Sequence, residues 1–209
     1  TTKDYNNLVN YIRNHNTKDK DVYEYLKTQI DMQELCNYWI AESFYGNTDL
    51  GNIKYWKSND GKWRFMLYDI DWSLYYTSRS FSYPVINTGI PAVTYVYSTI
   101  DITRRLYQNS EFKDLYLSTL AYHLKNTFKP ERMNEIIDEL AREIENEVPY
   151  HNTKWAGTNS SMGSINTWKS NLSRFKGKIN TRYNYVVNNL KSSFNLSTTE
   201  YNKYFGDLK

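Results

Sequence analysis

The chain of 209 residues holds one cysteine, Cys36. A single thiol excludes an internal disulfide framework and any zinc site built on several cysteines. Cys36 falls inside a helical apolar pattern, where a buried, inert thiol is expected rather than a nucleophile. Long apolar runs are also missing: no stretch approaches the roughly 18 residues that a bilayer span needs. The opening Thr1-Thr2-Lys3-Asp4 lacks a basic-then-apolar signal pattern. Charges of one sign do not gather into runs, because 26 Lys and Arg interleave with 23 Asp and Glu to leave a net charge of +3. That balance argues against a nucleic-acid partner. His15, His123 and His151 are scattered, without the Cys, Asp or Glu neighbours of a zinc site or a catalytic triad.

What is abundant is aromatic side chain, with 21 Tyr and 6 Trp. Otherwise 40% hydrophobic and 23% charged residues match ordinary globular usage, which excludes disordered and collagen-like classes. The length predicts one domain over residues 1–209 with its own core.

Hydrophobic periodicity predicts a mostly helical chain. Tyr5, Leu8, Val9 and Ile12 mark one helix, and Val22, Leu26 and Ile30 a second. Asp31 with Glu34 three residues on starts a third, expected over about Met32–Tyr45. Gly46 to Asn52 is dense in turn formers and reads as a loop. Ile53–Lys57 and Lys62–Tyr68 are extended and aromatic, and the Asp60-Gly61 pair between them signals a hairpin. Trp56 and Trp63 flank it and are expected to pair across it. Trp72 to Thr99 is rich in Tyr, Ser and Pro, with Pro84 and Pro91 breaking any long element, and predicts an irregular functional or mobile loop. Helices then return around Phe112 to Leu124, after Pro130, and over a long final segment from Ile165 to Leu190. The basic residues of that last helix, Lys169, Arg174, Lys176, Lys178, Arg182 and Lys191, predict a solvated face.

Chemistry concentrates between Phe44 and Leu74. A helix delivers Asp49 and Asn52 in a loop, a hairpin comes next, and its second strand runs out at Asp69-Ile70-Asp71. Phosphoryl transfer of the kinase type uses such an order: an Asp that accepts the acceptor hydroxyl's proton, an Asn from the same loop on a metal, and a second Asp after the hairpin on Mg²⁺. Oxygen-only ligands of this kind suit Mg²⁺ or Mn²⁺. If extended geometry persists past Tyr68, Asp69 and Asp71 project to one face and converge on one cation. The plainer alternative is that Asp71 caps the next segment of chain while Asp69 accepts backbone hydrogen bonds.

The strings Asn47-Thr48-Asp49-Leu50-Gly51-Asn52-Ile53-Lys54-Tyr55-Trp56, Gly61-Lys62-Trp63-Arg64 and Leu67-Tyr68-Asp69-Ile70-Asp71-Trp72 resemble the signature of the spore-coat protein H (CotH) kinase family. The likeness is strong over these residues and looser over the helical remainder, including Trp155 and Arg182. It implies an α+β, mostly α fold: the helical C-terminal lobe of an atypical protein kinase, with one β-hairpin near the active-site loop. It also implies ATP and Mg²⁺ or Mn²⁺ as cofactors, Ser or Thr of a secreted or spore-coat protein as acceptor, and a spore-coat or cell-surface location. By that resemblance Asp49 is the catalytic Asp, Asn52 the metal-binding Asn and Asp71 the metal-binding Asp, with Asp69 the alternative for the last role. Asp71-Trp72-Ser73 departs from the usual Asp-Phe-Gly, and the Asp49-to-Asn52 spacing is shorter than in most kinases. No Lys lies between them; Lys54 is the nearest candidate cofactor-binding cation, or else a solvated strand residue.

No glycine-rich phosphate-covering loop precedes Asp49, and no strand Lys with a partner Glu can be placed there. The expectation is a piece of a longer chain whose nucleotide-binding lobe lies elsewhere. The rival reading is a non-catalytic surface module that binds protein or carbohydrate through the Tyr75 to Tyr97 stretch.

Overall fold

The computed structural model describes residues 2–87 and 96–208. Two helices, α1 (Thr2–Asn14) and α2 (Lys20–Gln29), lead into α3 (Met32–Tyr45), on which the fold is organised. A hairpin comes next, β1 (Lys54–Trp56) and β2 (Arg64–Met66), and then α4 (Val96–Leu106), α5 (Ser110–Lys125) and α6 (Pro130–Ile144). A short 3₁₀ turn leads to α7 (Val148–Lys154), the long α8 (Ile165–Ser193) and α9 (Thr198–Phe205). The described residues are thus mostly helical with one small antiparallel sheet, as expected. Among the described residues no helix is long and apolar enough to cross a membrane.

α3 starts where Asp31 accepts the Glu34 amide at 3.1 Å, and it stops where Gly46 turns left-handed at φ 62°. Buried residues cover more than half of the circumference of α3, among them Leu35, Cys36, Trp39, Ile40 and Phe44, and leave Gln33, Glu34, Asn37 and Ala41 on the open side. So wide a buried face requires neighbours on several sides, and α5, α8 and β2 supply them. Cys36 is the inert core thiol expected: it is fully buried, and burial pushes its pKa up.

The hairpin is shorter than its two apolar segments suggested. Lys54 pairs with Met66, Tyr55 with Phe65 and Trp56 with Arg64, so the two tryptophans do not face each other. Trp56 lies under the Arg64 guanidinium, whereas Trp63 is buried against the Tyr5 and Tyr55 rings. Trp63 is also fixed by its backbone: it donates to Gln29 at 2.8 Å and accepts from Asp31 at 3.0 Å. Arg64 reaches Asp31 at 3.2 Å and Glu34 at 3.7 Å. These contacts anchor the hairpin to the start of α3.

From Trp72 onward the structure departs from expectation in four places. The Trp72 to Thr99 stretch turns through residue 87, but its end is helical, because α4 begins at Val96; Pro91 lies outside the described residues. Its middle is no free loop, since Phe81, Tyr83 and Val85 are core residues. The Ile165 to Leu190 helix is not the last: α9 comes after it, started by a reciprocal Ser197–Glu200 capping box. And Arg182, expected on a solvated face, is fully buried.

Candidate functional site

The loop after α3 is built from the inside outward. Glu42, in the last turn of α3, is buried, and so is Asn47 just past the Gly46 turn. Asn47 Nδ2 donates to Glu42 Oε2 at 3.0 Å and to the Asp49 carbonyl at 3.2 Å, while its Oδ1 accepts the Asp49 amide at 3.1 Å. Burial raises the Glu42 pKa above its ordinary value, and the hydrogen bonds from Asn47 and Tyr38 pull it partly back. One buried side chain therefore holds both the backbone amide and the carbonyl of Asp49.

Asp49 itself is exposed. Its Oδ1 accepts the Gly51 amide at 3.1 Å and its Oδ2 the Asn52 side-chain amide at 3.2 Å. The same Asn52 Nδ2 donates to Asp69 Oδ2 at 2.8 Å, seventeen residues further along the chain. Asn52 thus joins two carboxylates that arrive on separate limbs. The limbs are pinned elsewhere too: Thr48 donates through its amide and hydroxyl to the Trp72 carbonyl at 3.4 and 3.3 Å, and the Leu74 amide donates to the Tyr45 carbonyl at 2.8 Å.

The sequence-expected residues divide accordingly. Asp49, Asn52 and Asp69 are brought together. Strand pairing ends at Met66 and Asp69 turns left-handed at φ 55°, so Asp69 and Asp71 are not successive same-face residues of a strand. Asp71 opens a turn and lines a separate apolar cavity of about 440 Å³ with Tyr45, Leu74, Arg132, Met133 and Phe175. Lys54 is exposed on β1, with its ammonium 5.3 Å from the centre of the Tyr68 ring. Trp72, Tyr75 and Tyr76 are more than half exposed and, with Thr48 and Asp49, line a cleft of about 530 Å³.

Hard oxygen donors are present for a divalent cation, though no three carboxylate, imidazole or thiol groups converge on one point among the described residues. Mg²⁺ is ordinarily held by only one or two carboxylates, with substrate phosphates and water filling the remaining positions. Asp69 and Asn52 carry oxygens of that sort, and because Asn52 Nδ2 faces both carboxylates here, its amide would have to flip for Oδ1 to meet the cation that Asp69 meets. Among the described residues neither carboxylate has an ion-pair partner within the protein.

Of three supporting residues, Glu42 carries no local motif, and Asn47 and Arg182 stand in the family-like segments without a role of their own. Asn47 reads otherwise only as a turn former. Glu42 sits seven residues after Leu35 and three after Trp39, so a charge on the apolar face of α3 is the signal to follow. Arg182 falls between the buried Ile179 and Val186 on α8 and carries the same signal.

A family model described as CotH kinase protein matches residues 1–186, which hold α1 through most of α8. No curated protein and no solved structure matches the chain. The match takes in the Asp49–Asn52 loop, the hairpin, Asp69 and Arg182 alike, and it points to a spore-coat-associated, kinase-like protein. The chain belongs to the CotH kinase family.

Proposed function

We propose that this chain is the acceptor-side, catalytic-loop part of a protein kinase that moves the γ-phosphate of ATP to a Ser or Thr hydroxyl of a coat or surface protein. The observation that carries the reading is the Asn52 amide shared by Asp49 at 3.2 Å and Asp69 at 2.8 Å. Phosphoryl transfer needs a proton acceptor beside a cation site, and this contact sets one carboxylate beside the other.

In this reading the acceptor hydroxyl enters the cleft bounded by Asp49 and the exposed Trp72, Tyr75 and Tyr76. Asp49 accepts its proton as the oxygen bonds to the γ-phosphorus and the bond to the ADP oxygen breaks. Asp69, joined by Asn52 once its amide flips, would hold the cation, which would supply neutralisation of the charge on the phosphates. The geometry favours Asp69 over Asp71 for this role, because Asp69 is the carboxylate that reaches Asn52. Lys54 remains a candidate contact to a phosphate, and the phosphate-covering loop belongs to a nucleotide-binding lobe beyond these residues.

The test is transfer of labelled phosphate from ATP to coat or surface proteins by the intact protein, with Mg²⁺ or Mn²⁺. Asp49→Asn and Asp69→Asn are expected to lower kcat at least ~100-fold while Asp71→Asn retains most activity. The reverse result for the two later carboxylates would move the cation to Asp71. Metal-independent binding of a non-hydrolysable ATP analogue, or none, would leave the binding-module reading, which the three exposed aromatic rings favour.

A further inference from the structure

Arg182 is the most unusual buried group in the molecule. Its guanidinium is fully buried, yet among the described residues it has no carboxylate partner. Instead it donates only to backbone carbonyls: Nε to Phe44 at 2.6 Å, Nη2 to Ser43 at 2.6 Å, and Nη1 to Thr77 at 2.9 Å and Arg79 at 2.6 Å. Its charge is offset by the carbonyl end of α3, where the helix dipole is negative, and by the Phe81 and Tyr185 rings, each under 6 Å from the guanidinium carbon. Burial lowers its pKa to about 10, so it stays protonated at neutral pH.

The four acceptors are not a random set. Ser43 and Phe44 lie just before the loop that carries Asp49 and Asn52. Thr77 and Arg79 lie just after the segment that carries Asp69. From α8, Arg182 therefore grips the chain immediately before and immediately after the whole candidate site. A planar guanidinium fixes the relative position of its acceptors, because its donors diverge at set angles.

We propose that Arg182 is a positioning residue that sets the spacing between the Asp49 limb and the Asp69 limb, so that Asn52 can bridge them. The inference rests on the phosphoryl-transfer reading for its catalytic consequence, but its structural consequence can be measured without it. A residue that merely docked α8 would have no reason to direct all four of its bonds at these two limbs. Lysine, with three donors on a single nitrogen and no planar fork, cannot reproduce the four bonds and retains only part of the grip.

The experiment compares Arg182→Met and Arg182→Lys with Val186→Ala, a core substitution one turn further along the same helix. All are studied in the intact protein at a temperature where circular dichroism shows them folded. Amide hydrogen exchange is expected to speed up at least ~10-fold at residues 46–52 and 74–79 in both Arg182 variants, while α5 and α9 keep their protection. In steady-state transfer, kcat is expected to fall at least ~10-fold with KM for ATP changed less than ~3-fold, the lysine variant lying nearer the wild type. Exchange that quickens evenly across all helices, as expected for Val186→Ala, would overturn the proposal, as would unchanged exchange in both limbs. If the wild-type protein transfers no phosphate, the kinase reading fails and the exchange pattern alone decides the role of Arg182. If Arg182→Met does not fold, Arg182→Lys supplies the same comparison.

Discussion

Replacing Asn47 by alanine removes the side chain that ties buried Glu42 to Asp49. Three hydrogen bonds go: one to the Glu42 carboxyl at 3.0 Å and two to the Asp49 backbone at 3.2 and 3.1 Å. The bond to a carboxylate is worth about 2 kcal/mol and each neutral bond about 1 kcal/mol, for a ceiling of about 4 kcal/mol. Asp49 is exposed, so water recovers part of the loss there, whereas it cannot easily reach Glu42. The expected destabilisation is therefore about 3 kcal/mol, and with a urea slope of about 2 to 3 kcal/mol/M the unfolding midpoint falls by roughly 1 to 1.5 M.

The pH dependence gives the sharper check. Glu42 has a folded pKa raised above its unfolded value, chiefly by burial. A carboxyl shifted this way favours folding most below its unfolded pKa, and that contribution is lost as pH rises through the folded value. Asn47 donates to the charged form and limits the rise, so Asn47→Ala lifts the folded pKa further. Its deficit is expected to be smallest in acid and to grow towards pH 8. Glu42→Gln removes the ionisation but keeps an acceptor for Asn47, so alone it should gain stability relative to wild type as pH rises. A double-mutant cycle of the two, followed by urea unfolding from pH 4 to 8, should show a coupling of at least about 1 kcal/mol at pH 8 that shrinks in acid. A deficit that does not vary with pH, or one below about 1 kcal/mol, would refute the claim that Asn47 holds the buried charge.

Gly46→Ala is expected to cost about 1 to 2 kcal/mol in urea unfolding, the penalty for a left-handed residue with a side chain. The new Cβ would meet Tyr76 O at 3.5 Å and Arg182 Nη2 at 3.7 Å, ordinary contacts, so a loss well above that range would point to a steric clash instead. Cys36 should resist alkylation in the native protein and react only as fast as the core opens, since the thiol is fully buried and burial pushes its pKa up. Rapid labelling without denaturant would contradict that burial.

Where local chemistry decides the structure, the sequence is readable. Asp31 and Gly46 bound α3 through their own side-chain oxygen and left-handed backbone, and the Asp60-Gly61 turn closes the hairpin. Long-range packing decides the rest. The Trp72 to Thr99 stretch has an irregular pattern, but Phe81, Tyr83 and Val85 become core because α3 and α8 lie over them, which no local pattern announces. On α8 the apolar spacing from Ile165 to Leu190 is borne out at Trp168, Ile179 and Leu190, which are buried, while Tyr183 and Val187 pack half-buried against the core. What that spacing does not announce is the burial of Arg182 and Val186 between them, with Arg182 donating to carbonyls 138 and 139 residues away. Asp49, Asn52, Asp69 and Asp71 stand out because their order along the chain is local, but which of Asp69 and Asp71 comes to lie beside Asn52 is not legible there. It depends on where strand pairing stops and on the left-handed turn at Asp69.

The candidate site divides sharply by depth, and the division has an energetic logic. Asp49 and Asp69 lie exposed, where water and salt screen their mutual repulsion and a substrate can reach them. Their supports, Glu42, Asn47 and Arg182, are buried, where an unmatched polar group is costly and a matched one is rigid. Substitution at the surface should therefore leave the fold almost untouched: Asp49→Asn and Asp69→Asn each keep an oxygen for the Asn52 amide and are expected to shift stability by less than about 0.5 kcal/mol. Substitution in the buried layer should cost stability and loop order together. If Asp49→Asn or Asp69→Asn lowered the urea midpoint as far as Asn47→Ala does, the two carboxylates would be part of the scaffold rather than groups held out by it.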